Sequence, residues 1–272
     1  MMHGLGYRRS QLHTPPAAGL ISSRMRAISP LPTPDQSEFV STILDQGQAG
    51  SCTGFGTTAG FEQTWRAQGH VAPLASPRWI YAIGRLEEYA GVDPARVPAL
   101  RDSGAEPESV FRAVQKLGLV DWSTWQYPTD EETLNNADAM ARLVALKPSP
   151  SIAERAYDCR GMSWGSIPVQ AGALKAIADA LQHRMGVTFG MFIDSNYEQS
   201  DGGVITSIDT TDPNGGGHWQ CAVAVQDDVL KIRNSWGPSA GKDGYFYVHK
   251  SVIEDPQIVG EIFVIHSAPV FT

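Results

Sequence analysis

The chain has little cysteine: three in 272 residues, Cys52, Cys159 and Cys221. That count does not describe a small secreted fold stapled by disulfides. If Cys52 stays free, one bridge between Cys159 and Cys221 is open but not required. No C-x-x-C occurs, and the remaining Cys and His residues lack ligand spacing, so no metal site and no cofactor is expected. Asp209-Thr210-Thr211-Asp212-Pro213-Asn214 lacks the alternating ligands and terminal Glu of a calcium loop and reads as a turn. Excess positive charge is also missing. The formal net charge is −8, which argues against non-specific binding to nucleic acid or to an anionic membrane. No apolar run approaches the roughly 18 residues of a membrane span. Met1 to Ser10 has no apolar secretory core, so a reducing cytoplasm is the expected compartment.

What is present is a soluble globular composition, 42% hydrophobic with moderate charge, long enough for one large domain or two intimate lobes. Residues 1–38 are rich in Pro, Ser and Arg and show no sustained periodicity. Pro15, Pro16, Pro30, Pro32 and Pro34 prevent helix, so an extended arm is expected. It reads either as a short pro-segment lying in a cleft or as a strap across two lobes. The lack of any helical pattern favours the strap.

Helical periodicity then runs over 52–68. Ser76-Pro77 makes a helix start, with Trp79, Ile80, Ile83 and Leu86 on one face. Further helices are expected over 106–117, 134–146 and 171–185. The second half changes character, with short strands expected over 187–193, 203–208, 219–225, 229–232, 245–248 and 261–265. A helical first half and a strand-rich second half give an α+β fold, divided at about residue 150 within a domain spanning 39–272.

The chemistry is organised around Gln46-Gly47-Gln48-Ala49-Gly50-Ser51-Cys52. A cysteine at the junction of a glycine-rich loop and a helix meets unpaired backbone N–H groups and the positive end of the helix dipole. Both favour a thiolate, so a depressed pKa is expected for Cys52. Gln46 is placed to donate its amide to an oxyanion beside the sulfur. Far downstream lie Gly216-Gly217-His218 and Asn234-Ser235-Trp236-Gly237. Cys, His and Asn far apart in sequence make the parts list of a nucleophilic site. His218 takes the thiol proton, Asn234 holds the other ring nitrogen, and Trp236 covers that hydrogen bond.

Two other motifs fail on context. Gly54-Phe55-Gly56-Thr57-Thr58-Ala59 matches a dinucleotide fingerprint, but a polar loop precedes it where an apolar strand is needed. Its glycines read instead as close packing. Gly161-Met162-Ser163-Trp164-Gly165 matches the nucleophile elbow of α/β-hydrolases. The charged residues upstream and Pro168 downstream suit neither a buried strand nor a following helix.

In these motifs the chain resembles the papain-like cysteine peptidases, over roughly residues 30 to 266, in the short form found in bacteria, archaea and phages. Three pieces match in order: the Gln-Gly…Gly-Ser-Cys run, the Gly-flanked His218, and Asn-Ser-Trp-Gly sixteen residues later. There are departures. Ala49 stands where the family's first Cys belongs, Thr53 replaces an aromatic, and His218 lies beyond the usual interval of about 130–150 residues. The resemblance implies a helical lobe bearing Cys52, an antiparallel barrel-like lobe bearing His218, and an active site between them. It implies hydrolysis of a protein or peptide substrate through a thioester on Cys52. Ser103 and Gly104, in Asp102-Ser103-Gly104-Ala105, and Gly217 are then expected to bind the substrate backbone as an added strand. A catalytically silent peptide-binding module and an acyltransferase are the alternatives.

Overall fold

A computed structural model describes residues 4–10, 28–71, 74–93 and 96–267. Among the described residues, five α-helices lie in the first half and form where the sequence supplies caps and apolar faces. Helix α1 spans Cys52–Ala67 and is buried along almost its whole length. Helix α2 (Pro77–Glu87) opens with Pro77 at its first position, and Ser76 accepts from the Trp79 N–H. Helix α3 (Pro107–Leu117) stops at Gly118, whose φ of 82° lies in the left-handed region. The single helix expected over 134–146 is two, α4 (Glu131–Leu134) and α5 (Ala137–Val144). Asn136 causes the break, because its side chain accepts from Ala139 N–H and starts a new helix.

The second half runs α6 (Pro150–Ala153), β1 (Ser163–Ser166), α7 (Ala173–Gln182), β2 (Gly186–Ile193), α8 (Ser195–Glu198), β3 (Val204–Ile205), β4 (Gly216–Gln226), β5 (Val229–Arg233), β6 (Tyr245–His249), α9 (Lys250–Ile253) and β7 (Val259–Ser267). Helix α7 ends earlier than expected because Arg184 turns the chain at φ 62° before β2. Three four-residue helices, α6, α8 and α9, carry too little periodicity to be read from sequence. Strand β1 contains Ser163 of the hydrolase-like motif. It is an edge strand whose Ser163 hydroxyl bonds Ser267 Oγ at 2.9 Å, so no nucleophile elbow is formed.

The strands form one sheet in the order β1-β7-β2-β4-β5-β6-β3. It is open, which corrects the barrel-like closure expected above. Closure requires the end strands to pair. Here they are the four-residue β1 and the two-residue β3, and β3 lies parallel to β6 while every other pairing is antiparallel. One hydrophobic core joins α1, α2, α3 and α5 to Trp219, Phe263 and Ile265, and a second fills the space between the sheet and α7. Helix α1 lies between them, and its glycines let it approach both sides. A Cβ at Gly56 lies 2.7 Å from Trp219 Cδ1, one at Gly60 lies 2.5 Å from Thr188 Cγ2, and one at Gly54 lies 2.3 Å from Pro77 O. The nucleotide-like motif is thus a packing surface. Beneath it Arg233 pairs with Glu62 at 2.8 Å, both 2% exposed.

Residues 28–36 lie along the sheet half. Leu31 N–H donates to Gln182 O at 2.8 Å, and Gln36 N–H donates to Val223 O at 2.9 Å. All three cysteines are free thiols. Among the described residues no helix is long and apolar enough to cross a membrane, and no three His, Cys, Asp or Glu side chains cluster as metal ligands.

Candidate active site

Cys52 is the first residue of α1 and is fully buried. The loop before it is held from two sides. Asp102 accepts from Gly50 N–H at 2.9 Å and from Tyr81 Oη at 2.8 Å, and Tyr81 Oη in turn accepts from Gly104 N–H at 2.9 Å. Tyr127 donates to Gln46 O at 2.8 Å and shares a 2.9 Å bond with Ser51 Oγ. These contacts tie the nucleophile loop to the segment 102–105 and set where α1 begins.

On the sheet side, β4 carries Gly216, Gly217, His218 and Trp219 to the end of α1. Trp219 main chain lies within hydrogen-bonding reach of the Cys52 sulfur, so the residue next to His218 touches the nucleophile. His218 is buried, and its Nε2 meets Asn234 Oδ1 at 2.7 Å. The Trp236 ring stacks on the imidazole, with centroids 4.7 Å apart and planes 23° from parallel. Strand β5 ends at Arg233, so Asn234, Ser235 and Trp236 form the turn that faces β4.

Gln46 is tied to the same turn. Its N–H donates to Ser235 O at 2.8 Å, and its Oε1 accepts from Ser235 Oγ at 2.6 Å. With the oxygen occupied, Nε2 has to face the cleft. There it donates to Ala49 O at 2.8 Å and to Gly4 O at 2.6 Å. The positioning roles of Ser235 and Tyr127 are legible only in the fold. Ser235 lies in the Asn-Ser-Trp-Gly motif, but neither a serine there nor Tyr127 carries a spacing signal of its own.

Gly4 belongs to the arm, and residues 4–10 run through the cleft. Tyr7 N–H donates to Gly217 O at 3.1 Å, Ala105 N–H donates to Gly6 O at 2.9 Å, and Arg8 N–H donates to Ala105 O at 3.2 Å. The arm bridges the two halves, and it does so across the candidate nucleophile itself. Glycine permits the approach. A Cβ on Gly6 lies 1.7 Å from Gly50 O, one on Gly104 lies 2.2 Å from Gly6 O, and one on Gly217 lies 2.2 Å from Tyr7 O. Of the expected backbone-binding residues, Gly104 and Gly217 line the arm. Ser103 is exposed, and Ala105 makes the ladder bonds in its place.

Burial pushes the Cys52 thiol up to about 11, against backbone hydrogen bonds from Trp219, Gly6 and Thr53 that pull it down. The depressed value expected at a helix N-terminus is therefore reversed with the arm in place. Loss of water costs the thiolate more than the helix end returns. The Gly6 N–H points a donor at the sulfur, while the carbonyl given to Gln46 belongs to Gly4.

The profile of the papain family cysteine proteases matches residues 33–264, a range that leaves the cleft-filling residues 4–10 outside it. An uncharacterized peptidase C1-like protein of Acanthamoeba polyphaga mimivirus is 23% identical over 233 residues, covering 82% of this chain and 68% of that protein. Vignain of Vigna mungo is 23% identical over 222 residues, 81% of this chain, and the chain spans only 54% of vignain's length. Among solved structures, xylellain, a cysteine protease from Xylella fastidiosa, superimposes with a TM-score of 0.71 at 24% identity over 98% of this chain and 97% of that one, a likeness of fold.

Proposed function

We propose, since this chain belongs to the papain family of cysteine proteases, that it hydrolyses peptide bonds in a protein or peptide substrate through a thioester on Cys52. His218 takes the Cys52 proton as the sulfur attacks the scissile carbonyl, then passes it to the departing amine. The same imidazole next deprotonates the water that cleaves the thioester. Asn234 Oδ1 on Nε2 leaves Nδ1 as the nitrogen for this proton traffic. Trp236 keeps water from that bond. Gln46 Nε2 and the Cys52 backbone N–H stabilise the oxyanion. Residues 39–272 form the peptidase unit, with Cys52 in about 39–150 and His218 and Asn234 in about 151–272. Residues 4–10 hold that unit inactive until they are displaced or removed.

The observation that carries this reading is the peptide already in the cleft. Gln46 Nε2 holds a backbone carbonyl of residues 4–10 at 2.6 Å while Gly217 and Ala105 bond the same strand. The test is hydrolysis of a mixed peptide library by full-length Gly6→Ala, whose Cβ has no room at Gly50. Cleavage is expected, with loss in the added Cys52→Ala or His218→Ala background and retention in Cys159→Ala. If Gly6→Ala exposes Cys52 to alkylation and yet no peptide is cut, the peptidase reading fails.

A further inference from the structure

Trp236 is held against His218 by a bracket of side chains that returns to the strand carrying the histidine. The indole meets Tyr197 edge to face, with centroids 6.0 Å apart and planes at 89°, and meets Phe246 in the same way at 5.6 Å and 88°. Tyr197 and Phe246 stack on each other, 4.7 Å apart and 4° from parallel. Tyr197 stands in α8, where the Asp194 carboxylate accepts its N–H at 2.9 Å and accepts the Asp209 N–H at 2.9 Å. That carboxylate fixes the short helix at the end of β2. The Tyr197 hydroxyl donates to Gln220 Oε1. Gln220 lies two residues beyond His218 in β4, so both side chains project from the same face of the strand. The contacts close a ring that runs from His218 to Trp236, Tyr197 and Gln220 and back along β4.

Stability alone does not account for the polar pair in this ring. Tyr197 and Gln220 are both buried, and Gln220 Nε2 has no hydrogen-bond partner among the described residues. An unpaired buried amide offsets what the hydroxyl bond contributes, and two apolar side chains of similar shape would pack there at little loss. What the bond adds is direction. Ring contacts tolerate a range of offsets, so an unanchored ring can slide or turn on Phe246 with little change in energy. A hydrogen bond to one carbonyl oxygen weakens steeply off its line and removes that freedom. Anchored to β4 in this way, the Tyr197 ring limits how far Trp236 can tilt from the imidazole that the same strand carries.

We infer that Tyr197 is a positioning residue, which holds the His218 ring through Trp236 in the orientation that keeps Nε2 on Asn234 and turns Nδ1 toward Cys52. The inference rests on the proposal that His218 is the base for Cys52. Without the hydroxyl anchor Trp236 tilts, water reaches the bond to Asn234, and the imidazole spends less of its time facing the sulfur.

The test reads the imidazole through the cysteine and needs no peptide hydrolysis. In the full-length Gly6→Ala chain, iodoacetamide labelling of Cys52 is compared at about pH 6, where only an imidazolium partner keeps a thiolate, and at about pH 9, where an ordinary thiol ionises unaided. The ratio of the two rates, compared between variants, cancels how often the arm is open. His218→Ala is expected to lower that ratio about a hundredfold. The double variant Tyr197→Phe, Gln220→Leu replaces the polar pair with apolar side chains and keeps the ring. It is expected to lower the ratio about tenfold with little change in the urea midpoint, a split that a role in stability does not produce. Tyr197→Phe alone is expected to give the same loss, and it decides the matter if the double variant does not fold. A parent-like ratio in the Tyr197 variants would overturn the inference. So would a loss seen in Tyr197→Phe and absent from a folded double variant, because it would track the unpaired amide and not the freed ring. His218→Ala separates the two readings. If it leaves the ratio unchanged, His218 is not the base and both fail. If it lowers the ratio while Tyr197→Phe does not, only the role of Tyr197 fails.

Discussion

Gly6→Ala tests the arm most directly. The added methyl has no room: its ideal position is 1.7 Å from Gly50 O and 2.3 Å from Gly50 C, both backbone atoms that the Asp102 contact holds in place. The arm cannot absorb this locally, because Gly6 O and Tyr7 N–H are committed on either side. Four backbone–backbone hydrogen bonds tie the arm to the rest of the chain and six more involve a side chain. At about 0.5–1.5 kcal/mol net each, with one aromatic side chain burying about 1.5–3 kcal/mol, they favour closure. Ordering seven residues costs about 1–2 kcal/mol each and opposes it. The two sums are of similar size, so the clash tips the balance toward the open arm.

Opening returns water to Cys52. With the thiol at about 11, the thiolate fraction at pH 7 is about one in ten thousand, and at the ordinary thiol value of 9.0 it is about one in a hundred. Iodoacetamide labelling of Cys52 at pH 7, followed by peptide mass spectrometry, should therefore rise at least about a hundredfold in Gly6→Ala. Removal of the steric cover and the adjacent imidazole both add to that. Cys159 and Cys221, buried and pushed up to about 12, serve as internal references that stay slow. A Gly6→Ala protein with a wild-type melting curve and wild-type Cys52 labelling would refute the reasoning.

Three further outcomes follow from the same geometry. Ser235→Ala frees the Gln46 amide to rotate by removing the 2.6 Å bond to Oε1, and in the open-arm background kcat should fall about tenfold with Cys52 labelling unchanged. Arg233→Met leaves Glu62 buried beside Arg66 alone and should cost about 3 kcal/mol in urea unfolding, the low end for one half of a buried pair. Because the Cys52 pKa is higher with the arm closed than for an ordinary thiol, closure is fully favoured below about pH 9 and weakens as pH rises toward about 11. Tryptic cutting after Arg8 or Arg9 should increase over that interval in the native protein and stay flat in Cys52→Ser.

The candidate site was legible from sequence because its parts carry strong chemical constraints at separated positions. A Gly-rich loop ending in Cys52, a Gly-flanked His218 and the turn at Asn234 each announce themselves, and the fold brings His218, Asn234, Trp236 and Gln46 into one hydrogen-bonded and stacked group. The long elements were equally legible, since α1, α2, α3, β2 and β4 have enough residues for their period to emerge. The four-residue helices and the edge strand β1 were not, because a single turn or a four-residue pairing has too little period to read. The other edge strand, β3, falls inside the strand expected over 203–208 and is shorter than expected. Whether the sheet closes was beyond the pattern too. Closure depends on how its two end strands meet, and that is a property of the whole sheet.

The amino-acid sequence alone determined which residue types the candidate site holds, because residue type at a given spacing is local information. Tertiary structure alone decided the state of those residues. Gly4, Gly6 and Tyr7 look like an unremarkable start to an extended arm, yet in the folded chain they meet Gly50, Gly104, Gly217 and Gly260. A glycine's value lies in what approaches it, and the approaching strand here comes from dozens to hundreds of residues away in the chain. For the same reason the helix end that should acidify Cys52 is outweighed. The dipole is written in the sequence of α1, and the loss of water comes from burial that only the folded chain supplies.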